Sequence, residues 1–156
     1  MNSFNNVYFG QKAFIINDKK QILIIKRKNV TVYKDIWDFP GGKLEDNEYL
    51  YAAIVREIKE ETGLQLNRII AILSTSKFIG IVKSRPVVFR NLYLCKASGQ
   101  VKLSAEHSLY KWINIAEFKK YNFPPKNENE DLYAVMKNLP NLLKKLDLKK
   151  SYSLLL

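Results

Sequence analysis

Short apolar runs separated by polar breaks follow one another along most of the chain. Runs rich in β-branched and aromatic residues predict strands, and they occur at Phe9 to Ile16, Gln21 to Arg27, Ile36 to Phe39, Arg68 to Val82, Val87 to Cys95 and Tyr110 to Ile115. Asn17-Asp18 predicts a turn between the first two strands, and Asn29 to Lys34 predicts a loop. Ser84-Arg85-Pro86 is expected to join the two long central strands.

Apolar positions three and four residues apart predict helices. The clearest runs from Glu48 to Thr62, and its apolar stripe consists of Tyr51, Ile54, Val55 and Ile58, with Leu50 at the border. A short helix is expected at Ala116 to Tyr121, and a C-terminal helix from about Glu128 to Asn138. Pro140 is expected to interrupt this helix, with a further turn or two following it. Strands mixed with helices predict an α+β fold, an α/β/α sandwich with a mixed sheet between helices.

The chain has 156 residues, of which 47% are hydrophobic, and this favours one folded domain, with a helical tail from about residue 128, over a disordered chain. Its single cysteine, Cys95, has no partner for an internal disulfide and is expected to be buried. Neither a signal peptide nor an apolar run long enough for a membrane span is evident. These features predict a cytoplasmic protein without a membrane partner.

Positive charge dominates the composition. The chain carries 26 Lys+Arg against 15 Asp+Glu, a formal net charge of +11, which favours an anionic partner. The lysines are scattered rather than gathered into one patch. The pattern therefore favours a small polyanion, and binding of nucleic acid remains as the alternative.

The sequence REIKEETG places Glu57, Glu60 and Glu61 close together at the end of a predicted helix. Residues three and four apart share a helix face, so each like-charged pair costs roughly 0.2–0.5 kcal/mol. Gly63 marks the C-terminal turn, where the helix dipole disfavours anions by a further 0.3–1 kcal/mol or so each. A divalent cation would offset this repulsion, because carboxylate oxygens are the ligands that Mg²⁺ or Mn²⁺ prefers.

A longer frame surrounds these glutamates. Gly42 is followed by five residues and Glu48, then by seven more and the run from Arg56 to Leu64. This frame resembles the Nudix box, which implies metal-dependent hydrolysis of a nucleoside diphosphate linked to another group. The box positions are Gly42, Glu48, Arg56, Glu57, Glu60, Glu61 and Gly63.

Flanking residues are similar to the MutT-type branch of the Nudix family. Trp37 to Lys43 reads WDFPGGK, Glu106 stands six residues before Trp112, and Phe123 to Asn127 reads FPPKN. The resemblance implies conversion of a (d)NTP, including oxidised forms, to (d)NMP and pyrophosphate. It implies metal ligands at the Gly41 carbonyl, Glu57, Glu60, Glu61 and Glu106, with Glu57 first and Glu61 second as activators of water. It also implies that phosphates are bound by Arg27 and Lys43, and the base by Phe39 and Asn127.

Several of these residues have an alternative interpretation. Glu48 fits either a helix start or support of the metal site, and Arg56 fits a structural role bridging carboxylates. Asn127 could cap the helix predicted at Glu128, and Glu106 could be an ordinary loop carboxylate. His107 has no visible partner in the sequence and is not expected to take part in catalysis.

Lys43 could likewise be a solvated lysine. At the level of function, two alternatives share the same box. One is an enzyme acting on RNA 5′ ends or another nucleotide derivative, and the other is a Nudix domain that binds nucleotides without catalysis.

Overall fold

Six strands and two α-helices account for most of the residues that the computed structural model describes, namely 7–28, 35–80 and 86–146. The strands are β1 Val7–Ile15, β2 Ile22–Arg27, β3 Trp37–Asp38, β4 Gln65–Ile79, β5 Val87–Ser98 and β6 His107–Ile113. The α-helices are α1 Leu50–Thr62 and α2 Glu130–Lys145, and short 3-10 helices occur at Ile115–Lys120 and Lys126–Glu128. The loop predicted at 29–34, and most of the connection predicted at 84–86, lie outside the described residues.

The strands form two sheets. One has the order β1-β5-β4, with β1 parallel to β5 and β4 antiparallel to it, and the other is antiparallel with the order β3-β2-β6. The predicted turn at Asn17-Asp18 is confirmed, and the Asn17 carboxamide oxygen accepts a 2.9 Å bond from Gln21 N–H there. Because β1 and β2 join different sheets, this turn links the two halves of the fold.

Each helix covers its own hydrophobic cluster, because successive side chains of β1 point to opposite faces. Ala13 and Ile15 pack with α1, in a cluster that includes Ile54, Ile58, Tyr93 and the fully buried Cys95. Phe14 and Ile16 pack with α2, in a cluster that includes Leu92, Leu94, Leu132, Met136 and Leu139. The predicted arrangement of a mixed sheet between helices is confirmed. Truncating a fully buried residue such as Ile58 to alanine is expected to lower the free energy of unfolding by about 2–5 kcal/mol.

The buried face of α1 differs from the predicted stripe. Ala53, Ile54 and Ile58 are fully buried, whereas Tyr51 is 51% exposed. An α-helix turns by about 100° per residue. The centre of the buried face of α1 therefore lies nearer the glutamates than the pattern of apolar residues predicts, and Tyr51 lies at the margin of that face. The assignment of Tyr51 to the core-facing stripe was wrong.

The predicted interruption of α2 at Pro140 was also wrong, because one helix continues through Pro140 to Lys145. Proline removes one backbone hydrogen bond, here to the carbonyl of Met136. Leu139 and Leu143, on either side of it, are buried against the core and offset that loss. No helix in the described part of the chain is long and apolar enough to cross a membrane.

Candidate active site

The loop after β3 is fixed against β1 by backbone hydrogen bonds. Ala13 N–H donates to the Pro40 carbonyl at 2.8 Å, and Gln11 N–H donates to the Gly42 carbonyl at 2.9 Å. Gly41 has a φ of +136°, and a Cβ built on it would lie 2.2 Å from the Gln11 carbonyl oxygen. Only glycine fits this position, so the sequence Gly41-Gly42 allows the loop to lie directly on the strand.

Two glutamates of α1 point at this loop. Gly41 N–H donates a 2.7 Å hydrogen bond to Glu61 Oε2, and a Cβ on Gly42 would lie 2.2 Å from Glu57 Oε1. The side chains of Glu57 and Glu61 are only 15% and 14% exposed. Glu60 differs from them, because its side chain is 59% exposed and its Oε2 accepts from Arg56 Nη1 at 3.1 Å.

One cavity of about 420 Å³ collects most of the predicted site residues. It is lined by Arg27, Gly41, Gly42, Lys43, Glu57, Glu61, Glu106 and His107. Its volume lies within the usual range for small-molecule sites. The structure therefore brings together three carboxylates and two cationic side chains from four separate parts of the sequence, whereas Glu60 does not line this cavity.

Arg56 joins the carboxylates of the box. Its Nε and Nη2 bind Glu48 Oε1 and Oε2 at 2.9 and 3.0 Å, and its Nη1 lies 3.1 Å from Glu57 Oε1 and from Glu60 Oε2. The expected bridging role of Arg56 is confirmed, and part of the repulsion among the glutamates is offset by its charge. Glu48 precedes α1 and orients Arg56; the position that caps the helix belongs to Tyr49.

Burial makes the two inward glutamates resist ionisation. It raises the pKa of Glu61 from 4.5 to about 7, although Lys12 and the Gly41 N–H oppose this change. Burial also raises the pKa of Glu57, against the opposing charge of Arg56. A cation placed among these oxygens would favour the ionised carboxylates.

The donor set suits a hard divalent cation. Glu57, Glu61, Glu106 and Gly41 line the same cavity and offer carboxylate and carbonyl oxygens. Among the described residues, no three His, Cys, Asp or Glu side chains already converge as metal ligands, which agrees with the bonds that turn Glu57 and Glu60 toward Arg56.

Lys12 and Asp38 lie beside this cavity and were not singled out from the sequence. Lys12 Nζ lies 2.7 Å from Asp38 Oδ2 and donates to the Phe39 carbonyl at 3.1 Å, and Arg27 Nη2 lies 3.0 Å from the same Asp38 oxygen. Burial acts to raise the pKa of Asp38, but Lys12 and Arg27 outweigh it and hold that pKa below its usual value. The available signal was Lys12 itself, a charged residue inside an apolar strand.

His107 also lines this cavity, although the sequence offered no visible partner for it. Its side chain is 4% exposed, with Nδ1 3.1 Å from Ser104 Oγ and Nε2 3.6 Å from Glu61 Oε1. Burial and the charges of Lys12 and Arg27 lower the pKa of His107. These partners lie far from His107 in the sequence or carry no charge, which is why the sequence did not reveal them.

The two residues expected to bind the base lie elsewhere. The ring of Phe39 is fully buried and stacks on Phe14 and Phe123, with centroid distances of 4.0 and 5.3 Å. The expectation that its ring lines the nucleotide pocket is corrected: this ring is part of the core. Asn127 belongs to the 3-10 helix Lys126–Glu128 and lines a second cavity of about 370 Å³ with Ser76, Phe78 and Asp131 among others.

The alternative interpretation of Asn127 as a helix cap was wrong. Helix α2 begins at Glu130, and the residue at its capping position is Asn129. Asn127 therefore remains available for another role.

Comparison with known proteins identifies the family. The NUDIX domain model matches residues 10–138, most of the chain. The chain belongs to the Nudix family. As a Nudix hydrolase it is a pyrophosphohydrolase acting on small nucleotide substrates, and hydrolases of this family generally need a divalent metal ion.

Individual relatives agree with this assignment. This Nudix chain is 31% identical over 128 residues to an 8-oxo-dGTP diphosphatase of Buchnera aphidicola, an alignment that covers 81% of this chain and 89% of the relative. Among solved structures, the MutT protein from Methanosarcina mazei superposes with a TM-score of 0.71 at 24% identity, covering 86% of this chain and 96% of that one. The MutT Nudix hydrolase from Burkholderia pseudomallei gives a TM-score of 0.65 at 26% identity, covering 83% and 98%.

Proposed function

We propose that this Nudix hydrolase converts a (d)NTP, including oxidised forms, to the (d)NMP and pyrophosphate. The observation that carries the proposal is the shared cavity of about 420 Å³, which is lined by Glu57, Glu61 and Glu106 together with Arg27 and Lys43. Such a cavity offers carboxylates for a metal ion and cationic side chains for phosphates. The Buchnera relative, named for 8-oxo-dGTP, supports a purine deoxynucleoside triphosphate as the substrate class.

The cation is proposed to be Mg²⁺, with Mn²⁺ as a substitute. Glu57, Glu61, Glu106 and the Gly41 carbonyl would hold it, with Glu60 joining them once it leaves Arg56. When bound, such an ion neutralises phosphate oxygens and makes a coordinated water more acidic.

The chain's own residues then bind and orient the phosphates, and one of them accepts a proton from the attacking water. Arg27 and Lys43 neutralise phosphate oxygens, and Arg27 is oriented for this by Asp38, 3.0 Å away. Glu57 accepts the proton of the attacking water, since it is the carboxylate packed against Gly42 at the loop. Glu61 is the second choice, because its Oε2 already accepts the Gly41 N–H. The attack is proposed at the β-phosphorus, so that the (d)NMP leaves.

The base is proposed to reach the Asn127 cavity. Gly10, Arg90 and Ser76 are register partners across β1, β5 and β4. Gly10 is bridged to Lys43 beside the catalytic cavity, and Ser76 lines the Asn127 cavity. Gly10 and Ser76 are therefore two strand spacings apart, about 10 Å. One nucleotide can bridge this distance.

An RNA 5′ end is the second candidate substrate, and the net charge of +11 favours it. A basic surface attracts a polyanion in a salt-dependent way. Under this alternative the same carboxylates cleave the 5′ pyrophosphate linkage, and the lysines bind the chain that follows.

A substrate panel tests the proposal. Natural and oxidised dNTPs, ADP-ribose, a nucleotide sugar and a 5′-triphosphorylated RNA are each incubated with Mg²⁺ or with EDTA, and the phosphate products are identified by ³¹P NMR. The proposal expects pyrophosphate from dNTPs only with the metal, with heavy oxygen from labelled water in the pyrophosphate. Hydrolysis of RNA at low salt in preference to every dNTP would favour the second candidate. Binding of dNTPs without any product would indicate a non-catalytic domain.

A further inference from the structure

A buried ion pair ties α2 to the sheet at the Asn127 cavity. Arg90 of β5, 9% exposed, binds both carboxylate oxygens of Asp131, with Nε 2.9 Å from Oδ2 and Nη2 in contact with Oδ1. Ser76 Oγ of β4 donates to the same Oδ2 at 2.7 Å. The face of the guanidinium lies 4.5 Å from the centroid of the Phe78 ring. Bidentate pairs of this kind fix direction as well as distance.

The network continues from the ion pair into the short turn that carries Asn127. Arg90 Nη1 donates to Asn129 Oδ1 at 3.0 Å, and Asn129 Nδ2 donates to the Pro125 carbonyl at 3.1 Å. Pro125 and Asn129 flank the 3-10 helix Lys126–Glu128. The Asn129 side chain therefore connects the two ends of the turn, and its hydrogen bond with Arg90 fixes its own position.

Asn129 does not use its side chain to cap α2. It occupies the capping position of α2, where asparagine is among the preferred residues, yet its side chain makes no capping bond. It is 8% exposed, and both its oxygen and its amide nitrogen are bonded within the network. Its side chain therefore serves the turn rather than the helix.

We infer that Arg90 and Asn129 are positioning residues for base selection: they set where Asn127 stands relative to the sheet. The inference rests on the proposed role of Asn127 in reading the base. Neither residue needs to touch the substrate, because moving the turn by a fraction of a hydrogen-bond length alters the contacts of Asn127 with one base more than with another. Phosphate binding and water activation occur at the other cavity and are left unchanged.

The sharpest variant is Asn129→Ala, which frees the turn but leaves the Arg90–Asp131 ion pair in place. The measured quantity is the ratio of kcat/KM for the preferred dNTP to that for the other dNTPs. We expect this ratio to fall about fivefold, the size of one hydrogen bond, while kcat with the preferred substrate changes less. Arg90→Lys should act in the same direction, because lysine cannot make the forked contacts.

The matched control is Lys96→Met on the same strand. Lys96 Nζ lies 2.6 Å from the exposed Asp18, far along β5 from the network. This variant loses one cationic partner of an ion pair, and base selectivity should stay as in the wild type. Thermal unfolding of every variant shows whether it is folded at the assay temperature.

A double-mutant cycle with Asn127→Ala separates the possible failures. If Asn129 acts through Asn127, the double variant should select bases as Asn127→Ala alone does. Additive changes, or an equal loss of kcat/KM for all dNTPs in Asn129→Ala, would overturn the positioning role. If Asn127→Ala leaves base preference unchanged, the role of Asn127 fails and this inference fails with it. A shift in Asn127→Ala without one in Asn129→Ala removes only the inference.

Discussion

Gly41 N–H donates a 2.7 Å hydrogen bond to Glu61 Oε2, joining the loop after β3 to the last turn of α1. The two residues are 20 positions apart in the sequence, and the same loop is bonded to β1 through Pro40 and Gly42. The carboxylates therefore face the loop before any ligand arrives. Such preorganisation reduces the rearrangement that binding and catalysis require.

Replacing Gly42 by alanine should displace Glu57. The new Cβ would lie 2.2 Å from Glu57 Oε1, so the carboxylate has to move. Displacements of about 1 Å can lower rates on the order of 10²-fold, and we expect a loss of this size in kcat with the fold retained. Steady-state hydrolysis of a dNTP measures it.

Gly10→Ala is the control for this substitution. It adds a methyl group beside the same loop, but no atom lies closer than 3.9 Å to the new Cβ. A similar loss of kcat in both variants would indicate a general disturbance of the loop rather than displacement of Glu57.

Arg56→Lys should destabilise the metal-free protein. Lysine cannot make the two parallel bonds to Glu48 and at the same time reach Glu57 and Glu60. We expect the free energy of unfolding in EDTA to fall by about 1–3 kcal/mol, the range for hydrogen bonds to charged groups. Because a divalent ion also offsets repulsion among the glutamates, Mg²⁺ should restore part of this loss.

Urea unfolding with and without Mg²⁺ provides the test for Arg56. Lys120→Met serves as the comparison, since its exposed ion pair with Glu117 should contribute almost nothing. Equal destabilisation of the two variants would show that Arg56 is an ordinary surface cation.

The raised pKa of Glu61 predicts how stability depends on pH in EDTA. Between 4.5 and about 7 the folded protein holds a proton on Glu61 that the unfolded chain has lost. Stability from this group is therefore complete below pH 4.5 and is lost as the pH rises to about 7. Relative to Glu61→Gln, the wild type should lose up to about 3 kcal/mol across this window.

Urea unfolding of both proteins at several pH values gives that difference. Groups that titrate alike in the two proteins cancel in the comparison. Parallel stability curves would mean that Glu61 ionises normally in the folded state.

The sequence predicted the carboxylates of the site better than their surroundings. The spacing of Glu57 and Glu61 is local to one helix, so their shared helix face could be predicted before the fold was known. Phe39 was misjudged because its role was inferred from the family resemblance of the segment Trp37 to Lys43, and that local similarity does not show which way the ring points. Its stacking between Phe14 and Phe123 depends on residues far away in the sequence.

The contacts of Lys12, Asp38 and His107 were missed for a related reason. Each of these residues acquires its role from a partner brought close only by folding, such as Glu61 beside His107. The reach of α2 was underestimated because Pro140 is a strong local signal, whereas the burial of Leu139 and Leu143 that outweighs it is tertiary. Features that depend on neighbouring residues could therefore be predicted from the sequence, whereas contacts between distant segments could not.

Release of pyrophosphate from a dNTP by Glu57→Gln, measured with saturating Mg²⁺, tests the central claim most directly. Glutamine keeps the shape of the side chain but cannot accept the proton of the attacking water. Thermal unfolding should show the variant folded at the assay temperature, and kcat should fall by at least about 10²-fold, the lower end for loss of a general base. Glu117→Gln, an exposed carboxylate outside the site, should match the wild type. Near-wild-type pyrophosphate release by the Glu57 variant would contradict the account.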